Sequence, residues 1–247
     1  MVIFDSHIHL GQFYEKYYSP EYIVSFLKDM NIQKALVSST TICEENYEKV
    51  ISEITELIKM AGNKIFPMLW LTPKMLKDDK HYLFLESGVD WKCVKVHGFI
   101  HNWHPNGKIL QHAINIASEL KIPFLFHTGG IERCDAGAYL KVIKRNSQQQ
   151  FILAHGRPIE QAINVLNQCS NAWVDTAFMP IEDIKRLDSK GYIDKVLFGT
   201  DFPITIYNDK DLSDTVWYQN RNSEIINTIG ITNFRKISEE NFNKLFC

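Results

Sequence analysis

No CxxC pair occurs in this chain, and its five cysteines (Cys43, Cys93, Cys134, Cys169 and Cys247) are odd in number and widely spaced. That pattern argues against a disulfide framework or a cysteine-based zinc module and fits reduced thiols, so a cytoplasmic setting is expected. No apolar run approaches the roughly 18 to 20 residues needed to span a bilayer. A basic start followed by an apolar stretch, the mark of a signal peptide, is missing as well. Charge of one sign is not in surplus: the formal net charge is −2. Neither nucleic acid nor an anionic membrane is therefore expected as a partner. Linkers, low-complexity tracts and breaks in composition are absent, and residues 1–247 read as a single domain.

What is present is alternation. Short apolar, β-rich runs fall at 2–7, 34–38, 65–71, 93–96, 122–127, 151–155, 172–175 and 195–199. Between and after them lie helical candidates at 21–30, 44–61, within 73–85, and at 108–120, 136–144, 159–168, 181–189, 212–229 and 239–246. Pro20, Pro158 and Pro180 sit at helix starts, where a missing N–H costs little. Eight strand–helix units in 247 residues match the count and size of an α/β fold of the (β/α)8 TIM-barrel type. An open doubly wound sheet shares the alternation but calls for a Gly-rich phosphate turn after its first strand. Here that position holds His7-Ile8-His9, with Gly11 marking a turn.

In a barrel the C-terminal ends of the strands converge on one face. The first run ends Asp5-Ser6-His7-Ile8-His9, and strand alternation points His7 and His9 the same way with Asp5 behind them. The fourth run puts Cys93, Lys95 and His97 on one face. The fifth, sixth and eighth end in His127, His155 and Asp201. Histidines and an aspartate at converging ends supply the nitrogen and oxygen ligands that Zn²⁺ or a similar divalent ion accepts.

These segments resemble the amidohydrolase superfamily of metal-dependent barrel hydrolases, in particular amidohydrolase family 2. The likeness is carried by Asp5-Ser6-His7-Ile8-His9, Val94-Lys95-Val96-His97, Pro123-Phe124-Leu125-Phe126-His127-Thr128-Gly129, Leu153-Ala154-His155-Gly156, Trp173-Val174-Asp175-Thr176 and Leu197-Phe198-Gly199-Thr200-Asp201-Phe202-Pro203. The tail from Ile237 to Phe246 resembles the family's closing helix. The resemblance implies that His7, His9 and Asp201 bind the buried metal, that His127 is a further ligand, and that Asp201 also moves the proton. His155 would either assist catalysis off the metal or bind a second ion. Lys95 would either be carboxylated and bridge two metals or remain a plain cation that holds a substrate carboxylate or pairs with Asp5. One or two divalent ions are thus implied, Zn²⁺ first, with Mn²⁺, Co²⁺ and Fe²⁺ as alternatives.

Other candidates come from the residues alone. His97 is a candidate substrate contact at the barrel mouth. Trp103 belongs to an aromatic loop, Phe99-Ile100-His101-Asn102-Trp103-His104, that would wall the pocket. Arg133 and Arg157 follow the fifth and sixth strands and are suited to clamping a carboxylate, Arg157 the better placed. The activity the resemblance implies is hydrolysis of an ester, lactone or amide bond, expected here in a small carboxylate-bearing molecule. A decarboxylase of the same superfamily is the alternative, and an inactive metal-binding protein ranks below both. The resemblance also allows a homodimer, although no interface is legible.

Overall fold

A computed structural model describes residues 2–204 and 212–247. The strands are β1 (Ile3–Phe13), β2 (Lys16–Tyr18), β3 (Ile32–Ser39), β4 (Ile65–Trp70), β5 (Cys93–Val96), β6 (Phe124–His127), β7 (Phe151–Ala154), β8 (Ala172–Asp175) and β9 (Val196–Leu197). They make one nine-stranded, curled sheet in the order β2-β1-β3-β4-β5-β6-β7-β8-β9. β1 and β2 pair antiparallel, and every other neighbouring pair is parallel. The α-helices are α1 (Pro20–Asp29), α2 (Tyr47–Ala61), α3 (Pro73–Lys77), α4 (His81–Leu85), α5 (Lys108–Leu120), α6 (Leu140–Arg145), α7 (Ile159–Gln168), α8 (Ile181–Ser189), α9 (Asp214–Arg235) and α10 (Asn241–Phe246). No helix among the described residues is long and apolar enough to cross a membrane.

The eight runs expected as parallel strands are all strands. Parallel strands covered by crossover helices are buried on both faces, which is why runs such as Phe124-Leu125-Phe126 are apolar throughout. Alternation then divides the faces. Phe66, Cys93, Leu125, Ile152, Trp173 and Leu197 pack together as one buried cluster, and Phe242 of α10 joins them. Two residues further along the same strands come Lys95, His127 and Asp175. The functional face is thus the continuation of one packed column of side chains.

Two expectations at the first strand need correction. Gly11 does not end it in a turn, because β1 runs on to Phe13 and folds back through Tyr14 (φ 49°) into β2. Gly11 (φ 99°) serves close approach instead: a Cβ there would lie 2.8 and 2.9 Å from the Thr41 and Thr40 hydroxyls. Asp5 is not on the histidine face either. The β1–β3 register shifts between Asp5 and Ile8, breaking strict alternation. The Asp5 carboxylate meets Thr200 Oγ1 (2.7 Å) and Tyr218 Oη (3.2 Å) of α9 instead.

The segment after β9 returns to β1. Ser6 N donates to Phe198 O (2.8 Å), Asp201 N to His7 O (2.8 Å) and His9 N to Phe202 O (2.7 Å). Phe202 is fully buried and stacks on Phe26 of α1, ring centroids 3.8 Å apart. Those bonds set Asp201 opposite the two histidines. Phe202→Ala should therefore cost about 3–5 kcal/mol, the range for a deleted buried aromatic, read as a lowered urea midpoint. A midpoint unchanged within error would mean this joint is not held by packing.

Candidate metal centre

His7 and His9 both turn Nε2 toward Asp201. Its Oδ1 lies 3.2 Å from His7 Nε2 and 2.9 Å from His9 Nε2. The three residues offer ligand atoms within 4.8 Å of one another, and all are buried. The outer nitrogens are held: His7 Nδ1 lies 2.8 Å from Asp175 Oδ2, and His9 Nδ1 lies 2.8 Å from Ser38 Oγ. A carboxylate only accepts, so His7 carries its proton on Nδ1 and aims an Nε2 lone pair at Asp201. Two acceptors then face each other, an arrangement that a shared cation satisfies. The residues fit a divalent metal, with partners on the far nitrogens setting which nitrogen faces it. Asp201 (φ 58°) and His155 (φ 69°) both sit in the left-handed backbone region, where strained residues at strand ends often mark function.

Lys95 supplies a cation of the protein's own. Its Nζ lies 2.9 Å from His7 Nε2 and 3.0 Å from His9 Nε2, above the Trp70 ring at 4.5 Å. It does not pair with Asp5. Burial pushes its ammonium down to about 8, against the pull of Asp201 and Asp175. Burial and the Lys95 charge push His7 and His9 down to about 3. Burial also works against the Asp201 carboxylate, yet the His7, His9 and His155 rings hold it well below the usual range.

His127 and His155 stand beside this trio as a hydrogen-bonded pair, His155 Nε2 to His127 Nδ1 at 3.0 Å. His155 Nδ1 meets the Ala177 carbonyl at 3.0 Å, and its ring stacks against His7. His97 stacks on His127 with centroids 3.7 Å apart, and on Trp70. Burial lowers all three, His155 to about 4. The neutral rings keep lone pairs available at neutral pH.

A cavity of about 430 Å³ opens over the site, lined by His9, Lys95, His97, His127, His155 and Asp201 together with Arg157, Trp70 and aromatic and aliphatic walls. Arg157 is half-buried, with Nη2 2.6 Å from the Phe178 carbonyl and its guanidinium over the Phe178 ring. Two substrate candidates are not brought here. Arg133 is exposed and lies outside the cavity lining, because the turn after β6 carries it outward. Trp103 is buried in the core rather than in the wall, which Phe99 and Ile100 of the same loop supply. The sequence does not point to Ser38 or Cys43, nor to the Asp175 contact with His7. The alternation that selected Lys95 would have selected Asp175, which closes β8 on the same face; Ser38 carried no such signal.

A sheet of parallel strands whose C-terminal ends gather histidines and an aspartate around a cation-demanding centre defines a metal-dependent enzyme. The sequence model of the amidohydrolase family Amidohydro_2 matches residues 55–246. The chain belongs to this family and is an enzyme of the metal-dependent hydrolase superfamily. No curated protein matches it in sequence. Among solved structures, it is similar to a protein titled a probable 2-pyrone-4,6-dicarboxylic acid hydrolase from Acinetobacter baumannii, crystallised with citric acid (TM-score 0.72, 13% identity, 100% of this chain and 99% of that one). An uncharacterized TIM-barrel protein from Bordetella bronchiseptica gives 0.69 and 15%, covering 99% and 98%. A 2,6-dihydroxybenzoate decarboxylase complexed with 2,6-dihydroxybenzoate gives 0.62 and 12%, covering 99% and 98%. At these identities the likeness is one of fold.

The buried rings make a pH prediction. In the unfolded chain histidines take up protons as pH falls through about 6.5, whereas folded His7 and His9 wait until about 3 and His101 and His155 until about 4. The unfolded state thus binds more protons across that window, and stability falls as pH drops through it. Asp5 and Asp175, raised by burial to about 7 and about 6, act in the opposite sense but are fewer. The urea midpoint of chelator-treated protein should fall between pH 7 and pH 4.5. A flat or rising midpoint would mean the rings are not held neutral.

Proposed function

We propose that this protein is a metal-dependent hydrolase that cleaves an ester, lactone or amide bond in a small carboxylate-bearing molecule. The observation that carries the reading is the convergence of His7 Nε2, His9 Nε2 and Asp201 Oδ1 beneath a cavity open to a small substrate. A divalent ion held by these three, Zn²⁺ first and Mn²⁺, Co²⁺ or Fe²⁺ otherwise, would polarise a carbonyl and acidify a water. Asp201, facing the cavity with its side chain 6% exposed, takes the proton of the attacking water and returns it to the leaving group. Arg157, which forms no ion pair among the described residues, holds the substrate carboxylate, while Trp70, Phe99 and Phe178 flank its planar or apolar body. His127 and His97 line the same space and orient the bond to be broken.

The wider reading is a complete (β/α)8 barrel, supported by the backbone bonds from 198–202 to β1, and an intracellular setting, in keeping with the free thiols. Lys95 has two forms to consider. Unmodified, it moves out from between the histidines when the metal binds, and the site takes one ion. As a carbamate, formed from the neutral amine and CO₂ with loss of a proton, it becomes an anion and admits a second ion beside His127 and His155. Metal stoichiometry on native protein separates the two.

Decarboxylation is the second reading, favoured by the fold shared with the dihydroxybenzoate decarboxylase. Product analysis decides: hydrolysis places solvent ¹⁸O in a product carboxyl or hydroxyl, whereas decarboxylation releases CO₂ and places solvent deuterium on carbon. Asp201→Asn should lower kcat by at least about a hundredfold, the low end for a positioned proton-transfer group, and chelation should abolish turnover reversibly. Full activity in either experiment would contradict the proposal.

A further inference from the structure

Asp175 uses its two carboxylate oxygens for different tasks. Oδ2 accepts from His7 Nδ1 at 2.8 Å. Oδ1 accepts the backbone N–H groups of His155 (2.8 Å) and Ala177 (3.1 Å). The carboxylate is fully buried, so water does not compete for these bonds. His155 is left-handed at φ 69°, a conformation its side chain disfavours, and the two N–H contacts pin the turn that imposes it. Beyond the turn, the Ala177 carbonyl can only accept, so His155 donates from Nδ1 at 3.0 Å. His155 Nε2 then bears a lone pair, which takes the hydrogen of His127 Nδ1 at 3.0 Å. His127 is left with the lone pair on its own Nε2. By contrast, the Ser38 hydroxyl at His9 Nδ1 can donate or accept and fixes nothing.

We infer that Asp175 is the positioning residue of this centre, setting the metal-facing nitrogen of His7 and bracing the turn that fixes the tautomers of His155 and His127. The inference rests on His7, His9 and Asp201 being the metal ligands. One consequence is that His155 is not the free base of the site. Its Nε2 is engaged by His127, and it acts by presenting that ring.

Asp175→Asn isolates the point. The amide oxygen still accepts the His155 and Ala177 N–H groups, but the amide nitrogen now donates to His7 Nδ1. That demands the opposite tautomer, with hydrogen on Nε2, and removes the lone pair from the metal side. Zn²⁺ affinity of metal-free protein, measured by competition with a chromophoric chelator, is compared for wild type, Asp175→Asn and His7→Ala. Asp175→Asn should bind Zn²⁺ about 10–100-fold more weakly than wild type, the range for lost partners of metal-bound histidines. Long-range ¹H–¹⁵N spectra should show His7 with its hydrogen on Nδ1 in wild type and on Nε2 in the variant. If Asp175→Asn binds within twofold of wild type while His7→Ala does not, the inference falls and the ligand assignment stands. If wild type binds no more tightly than His7→Ala, the ligand assignment itself falls. Should Asp175→Asn not fold, the wild-type spectrum still decides, since a His7 hydrogen on Nε2 overturns the inference.

Discussion

Two acceptor atoms, His7 Nε2 and Asp201 Oδ1, held together without a hydrogen between them are the constraint on which this structure turns. His7 Nε2 stands 3.2 Å from Asp201 Oδ1, lone pair against lone pair, and His9 Nε2 reaches the same oxygen at 2.9 Å. In a buried setting that repulsion is poorly screened. A cation must answer it, and Lys95 and a divalent metal are the two that the surroundings provide for. Everything nearby serves to keep the acceptors aimed inward. Asp175 holds His7 from behind, Ser38 meets His9, and the backbone bonds between β1 and the segment 198–202 bring Asp201 across.

The fold makes that assembly affordable in distance. His7 and Asp201 stand 3.2 Å apart although they come from opposite ends of the chain. They meet because β1 is the first parallel strand and the segment after β9 is the last, and the curl of the sheet brings the two together. The column of apolar side chains below the site, closed by Phe242, gives the polar layer a rigid floor. Loops then shape the space above. The extension of β1 into a hairpin with β2 places Gln12, Phe13 and Tyr14 on the cavity wall, and the loop after β5 adds Phe99 and Ile100. Strands thus carry His7, His9, Lys95 and His127, while loops supply much of the wall above them, the part in which proteins of one fold commonly differ.

Much of this was legible from residue types and their spacing. Alternation along 93–97 placed Lys95 and His97 together on the inner face, and the polar ends of the other strands pointed to the same place. What residue types and spacing do not show has physical causes. Period-two alternation fails at the register shift between Asp5 and Ile8, so Asp5 faces away from the histidines. A glycine signals either a turn or a close approach, and Gly11 is the second kind. Arg133 and Trp103 lie on irregular segments, where no periodicity tells direction. Arg157, only two residues past His155, stays close enough to its strand end to reach the cavity. Hydrogen-bond partners such as Ser38 carry no sequence signal at all, because only the three-dimensional register brings them to a ring nitrogen.

The most direct test of the cation requirement is a crystal structure of Zn²⁺-loaded protein with anomalous data collected at the zinc edge. The account predicts an anomalous peak about 2.0–2.2 Å from each of His7 Nε2, His9 Nε2 and Asp201 Oδ1, with Lys95 Nζ displaced from between the two rings or carboxylated. A peak bound elsewhere, or none at saturating Zn²⁺ with Lys95 still bridging the histidines, would contradict it and leave the lysine as the only cation the site takes.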